Sequence, residues 1–126
     1  MGLRPYNLEI EKGDLSKAEV EINKACKTSP KYLKPLLIKV SFIDVHLNLH
    51  EKAKALFCEI ETMIKGDKRI SNQDLSLFEF TRALLLIGDG LMEEARNSVV
   101  KSLEFDYNLE RAEYLNILES KMTTEK

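Results

Sequence analysis

His46 and His50 stand four residues apart, a spacing that sets two imidazoles on one face of a helix and, given further ligands, holds a divalent metal. No third ligand accompanies them, and His50 falls beyond Asn48, at the expected start of a new helix. The pair therefore reads as solvated or capping side chains, and no metal site is expected. Cys26 and Cys58 lie inside helical patterns rather than loops, so both read as reduced, small, buried hydrophobes. Acidic neighbours such as Glu93 and Glu94, or Glu19 and Glu21, sit where a helix turns its polar face to water. The sequence holds no glycine-rich phosphate loop, no nucleophile elbow and no cysteine-pair zinc motif, and neither histidine has a serine or cysteine partner placed to form a triad. The reading is a protein that is not an enzyme and uses no cofactor.

Charge is distributed unevenly although the net is only −2. Between Ile22 and Ile43 there is no acid, while Lys24, Lys27, Lys31, Lys34 and Lys39 fall there; Glu104, Asp106, Glu110, Glu113 and Glu119 crowd the other end, opposed by Arg111. A basic end and an acidic end follow, serving first as solvated surface and secondarily as a means of steering contacts. Nucleic acid would call for more arginine with interleaved aromatics, so no nucleic-acid partner is expected. The longest mainly apolar stretch, Leu36 to Val45, is broken by Lys39, Ser41 and Asp44 and is far shorter than the roughly 20 residues of a bilayer crossing. The opening Met1-Gly2-Leu3-Arg4-Pro5-Tyr6 has no apolar secretory core, and Tyr6 stands where a myristoylation signal wants Ser or Thr. No membrane association and a cytoplasmic location are the expectations.

These side chains must be carried by a scaffold, and 126 residues with 44% hydrophobic and 32% charged content suit one domain with its own core. Five Gly and three Pro leave few breakers, and Leu, Ile, Glu, Lys and Ala lose little rotamer freedom in a helix. No alternating apolar and polar run ends in a tight hairpin turn, and the only Asp-Gly, Asp89-Gly90, separates two helical patterns.

A repeat organises the helices. Gly13-Asp14-Leu15-Ser16-Lys17-Ala18 is followed by Ile22, Ala25 and Pro30: small, large and small residues at helical intervals, then a terminating proline. The spacing returns at Ala53, Phe57 and Ile60 after His50-Glu51-Lys52, and at Ala95, Val99 and Ser102 after Met92-Glu93-Glu94. This pattern resembles the second helix of a tetratricopeptide repeat. The anchoring alanines are 35 and 42 residues apart, against a family period of about 34. The excess is placed in a polar loop, Lys65-Gly66-Asp67-Lys68-Arg69-Ile70-Ser71-Asn72-Gln73-Asp74, and in an extended Gly88-Asp89-Gly90 turn. Each copy lacks the aromatic and glycine usual in the family's first helix.

The resemblance implies an all-α fold: a right-handed superhelical stack of about three antiparallel helix pairs with a C-terminal capping helix. One domain would span residues 1–122, with 123–126 as a disordered tail. Helices are expected over about Leu3 to Lys12, Lys31 to Leu47, Asp74 to Ile87 and Leu109 to Lys121, besides the three that carry the repeat signature. Those from Lys31 and Asp74 are apolar on nearly every side, which predicts burial on both sides. The leading helix is short enough to be marginal without a packing neighbour.

In tetratricopeptide domains the first helices of successive pairs line a concave groove. Register assigns that face here to Leu3, Asn7, Ile10, Ile38, Phe42, Val45, Phe78, Arg82 and Leu85, with Lys39 beside them. A largely apolar groove with few cations suits an extended or helical peptide bearing apolar anchors and an acidic group; the alternative is that these residues are simply core. The carboxylate clamp of some family members is largely lacking, because its places hold Leu3, Asn7, Lys39, Leu75 and Glu79, of which only Asn7 agrees. The expected function is a protein-interaction module, serving as scaffold, assembly factor or chaperone, that binds another protein or peptide. The alternatives are a self-associating structural building block and a regulatory tail of a larger enzyme. A monomer, or a weak salt-sensitive oligomer, is expected.

Overall fold

The computed structural model describes residues 3–28 and 33–124. Met1 and Gly2, the terminating Pro30, the expected helix start at Lys31, and the last two residues of the expected tail lie outside the described residues. The chain is all-α, with seven α-helices, one π turn and no strand among the described residues. It divides into two compact units, residues 1–62 and 63–126.

In the first unit α1 spans Arg4–Lys12 with Pro5 in its opening turn, where a missing N–H costs nothing. It ends because Gly13 adopts the left-handed conformation, φ 78°. There the Asp14 N–H reaches back to the Glu9 carbonyl and the Gly13 N–H to that of Ile10, both at 3.0 Å, closing the last turn. Asp14 then opens α2, Leu15–Thr28, its carboxylate accepting the Lys17 N–H at 3.1 Å as an N-cap. Two residues join α1 to α2, and the helices pack together as a hairpin.

Helix α3 covers Leu33–Ser41. The sequence predicts one regular helix through Leu47, but residues Phe42–His46 form a π turn, in which the Leu47 N–H donates to the Phe42 carbonyl five residues back at 3.1 Å. Asn48 takes a left-handed φ of 56°, and α4 follows over His50–Ile64, burying Ala53, Phe57 and Ile60 along one stripe. The unit's core gathers Tyr6, Ala18, Ile22 and Phe42, with Leu3, Ile10, Ile38 and Leu47 packed around them. Tyr6 meets Phe42 edge to face at 5.8 Å. Fully burying a side chain such as Ile22 contributes about 1.5–3 kcal/mol, enough to hold a nine-residue α1 that would not persist alone.

In the second unit α5 runs Asn72–Gly88, capped by Ser71, whose hydroxyl accepts the Asp74 N–H at 3.1 Å. From Asp74 to Ile87 no residue of α5 is exposed, as its all-round apolar pattern predicts. Helix α6, Met92–Phe105, packs along α5, and α7, Leu109–Thr124, packs on α6. The α7 helix thus extends two residues into the expected tail. Ala83, Ala95, Val99 and Leu118 centre this core, and Phe80 meets Tyr114 edge to face at 5.3 Å. The three anchoring alanines, Ala18, Ala53 and Ala95, are all 0% exposed; a methyl at such a position lets neighbouring backbones approach.

Candidate interaction surface and its polar contacts

The expected groove residues of the first unit separate into three groups. Asn7 on α1 is exposed, while Ile10 on α1 and Ile38 and Lys39 on α3 are half-buried. Ile10 and Ile38 lean on the Tyr6 and Phe42 cluster and leave part of their surface open. Phe42 is only 1% exposed, so it is a core side chain and not a groove anchor. Val45 departs in the other direction, at 63% exposure. A regular helix would stack Val45 on the Ile38–Phe42 stripe. The π turn widens that turn, buries Ile43 and carries Val45 off the stripe into solvent.

In the second unit Phe78 and Leu85 are buried, at 5% and 6% exposure, which removes both as anchors for a ligand. Arg82 is half-buried and already engaged: its Nε lies 3.3 Å from Glu79 Oε2, and its guanidinium sits over the Phe78 ring at 5.1 Å. Glu79 is buried, with Lys101 Nζ 4.0 Å from its other oxygen. Arg82 thus neutralises a buried carboxylate, and an acidic ligand would have to compete with Glu79 for it. The periodicity assigned neither contact: the Arg82–Glu79 pair at i,i+3 leaves no mark on an apolar stripe, and Lys101 on α6 is too far from Glu79 in the chain for any helical spacing to couple them.

A second polar cluster was not apparent in the sequence. Ser76 on α5 and Ser102 on α6 are both 0% exposed and exchange hydroxyl bonds across the helix crossing. Ser76 Oγ donates to the Ser102 carbonyl at 2.7 Å, and Ser102 Oγ to the Ser76 carbonyl at 2.6 Å. Arg111 of α7 donates through Nη1 to Ser76 Oγ at 2.7 Å and lies over the Phe80 ring at 5.4 Å. Burial pushes the Arg111 guanidinium below its usual pKa range, while Asp106 and Glu110 favour the charge. These contacts tie α5, α6 and α7 together with polar groups matched to one another. Ser102 was legible as a small repeat position, but nothing in the spacing coupled it to Ser76 or Arg111.

His50 Nδ1 lies 2.7 Å from Asp44 Oδ1, linking the π turn to the first turn of α4, and the His46 ring tilts against Phe42 at 5.8 Å. Among the described residues no three His, Cys, Asp or Glu side chains converge to hold a metal. Both cysteines are free thiols. Cys26 is half-buried; burial raises its thiol pKa and nearby Lys39 opposes that rise. Cys58 is exposed, contrary to the expectation of a core position, because the buried stripe of α4 runs through Ala53, Phe57 and Ile60 and leaves Cys58 off it.

No described helix is long and apolar enough to cross a membrane. No family model, curated protein or solved structure matches the chain.

Proposed function

We propose that this chain is a tetratricopeptide-like interaction module that holds a segment of another polypeptide. The single observation carrying the reading is the repeated small and large pair: Ala18 with Ile22, Ala53 with Phe57, and Ala95 with Val99, all six buried on the second helix of a successive copy. A chain that repeats one packing unit spends its residues on building a surface, and repeat arrays of this kind bind through the faces left over. The face we assign is narrower than the sequence register suggested. It consists of Asn7, Ile10 and Ile38, with Lys39 as the adjacent cation, and takes in Val45 as an exposed neighbour displaced from the Ile38 stripe by the π turn. Phe42, Phe78 and Leu85 serve the core, and Arg82 serves Glu79.

Val45 is the most informative position, since a substitution there disturbs no packing. Val45→Glu used as bait in affinity capture from the source cell should lose partners recovered by the wild-type chain by about tenfold or more, a large effect for one anchor. Its far-ultraviolet circular dichroism should stay at the wild-type value. Undiminished capture by the variant would remove this face from the binding role.

A further inference from the structure

We propose that the outer side of α7 is a self-docking surface, on which two copies of this chain meet through antiparallel α7 helices related by a two-fold axis at Ile117. The proposal does not depend on the interaction face assigned above.

The second unit holds two helices whose apolar residues run round the circumference. In α5 burial matches that pattern, since no residue from Asp74 to Ile87 is exposed. In α7 it does not. Tyr114, Leu115, Leu118 and Met122 belong to the core shared with α5 and α6, while Leu109 and Ile117 stand 63% and 57% exposed on the other side. A helix apolar all round is ordinarily covered on both sides, so α7 has one side still to cover.

The charges beside Ile117 identify the cover. Glu113 and Lys121 are each four residues from Ile117, one before it and one after, and all three are exposed. Residues four apart share a helix face, so the solvent side of α7 reads acid, apolar, base. Glu110, also exposed, extends the acidic half. That order is its own complement when reversed. In an antiparallel second α7, Ile117 meets Ile117 and each Glu113 meets the second copy's Lys121, which is the self-matching that a two-fold contact requires. A register centred on Glu113 would bring Leu109 against the second copy's Ile117 but set Glu113 against itself, and opposed like charges select against that alternative. A parallel pair would align acid with acid. A contact made by one 16-residue helix from each copy belongs to the small, transient class of interfaces, and the dimer should have a Kd on the order of 0.1–1 mM.

The test is sedimentation equilibrium of the full chain from about 10 μM to about 1 mM, a range that brackets this affinity. The wild-type chain should rise from the mass of one copy toward that of two. Glu113→Lys and Lys121→Glu should each weaken association by about tenfold or more, since each turns two attractions into two repulsions. An equimolar mixture of these two variants should recover wild-type behaviour, because in the mixed dimer every position 113 again faces a position 121 of opposite charge. Ile117→Ser should leave the chain monomeric across the range. The substituted side chains are exposed, so each variant should keep the wild-type circular dichroism. If a charge reversal unfolds the chain, the wild-type series against Ile117→Ser decides, together with amide shifts on dilution that should centre on α7. A wild-type chain that stays monomeric throughout, a single reversal that associates as well as wild type, a mixture no better than its components, or dilution shifts centred elsewhere would each overturn the proposal.

Discussion

Replacing Phe42 with alanine decides whether that ring supports the first unit or merely faces a ligand. Phe42 is 1% exposed and packs on Tyr6, Ala18 and Ile22. A buried Phe→Ala change costs about 3–5 kcal/mol. With the ring almost fully enclosed, the cost should fall within that range, about 3–5 kcal/mol. At about 0.05–0.15 kcal/mol per residue, a unit of 62 residues has about 3–9 kcal/mol to lose. Phe42→Ala should therefore remove about 3–5 of those roughly 3–9 kcal/mol, whereas Phe42→Leu, which keeps most of the volume, should cost less than about 1.5 kcal/mol. Urea titration gives the global cost, and native-state hydrogen exchange localises it, with the amides of α1 and α2 losing protection before those of α5 and α6. A Phe42→Ala cost under about 1 kcal/mol, or equal costs for Ala and Leu, would refute the reasoning, because a ring held in the core cannot be removed so cheaply.

In the second unit, Ser76→Ala should cost about 2 kcal/mol and Arg111→Met about 1 kcal/mol, with a coupling of about 1 kcal/mol in the double-mutant cycle, since both remove the same bond; additivity would show that the 2.7 Å contact does not contribute. Ala53→Leu should overpack a fully buried site and cost about 1–3 kcal/mol, whereas Arg69→Ala in the exposed turn after α4 should leave the denaturation midpoint unchanged; the reverse ranking would undo the register of the second copy. Burial raises the Tyr6 pKa above its ordinary value near 10, so the unfolded chain releases that proton first. The corresponding stability is fully present below about pH 10 and declines as pH rises through and beyond it. Tyr6→Phe should flatten that alkaline decline in a pH series of urea midpoints, and an identical decline in both proteins would contradict the burial argument.

The helices and their buried alanines were legible because they depend on local chemistry, period and size alone. Gly13, Asp14, Ser71 and Asn108 mark helix boundaries through local chemistry, and Ala18, Ala53 and Ala95 mark close approach through lack of bulk. The π turn was not legible, because a 3.6-residue period extrapolated through Ser41 has no term for an inserted wide turn. That one irregularity moved Val45 outward and Ile43 inward. Phe42, Phe78 and Leu85, placed on the groove by register, are buried in the structure; an apolar helix residue has the same pattern whether it faces a ligand or a neighbouring helix. Contacts between residues far apart in the chain, such as Ser76 with Ser102 and Arg111, have no sequence period at all.

The central claim, that the chain holds another polypeptide on the face bearing Val45, is tested most directly by placing a photo-crosslinking amino acid at Val45 and, separately, at the exposed Glu51 of α4. The two proteins are irradiated in the source cell. The account predicts a discrete crosslinked polypeptide from position 45, absent from position 51, whose yield falls when Ile38 is also changed to Asp. Equal, diffuse crosslinking from both positions, or none from position 45, would contradict it.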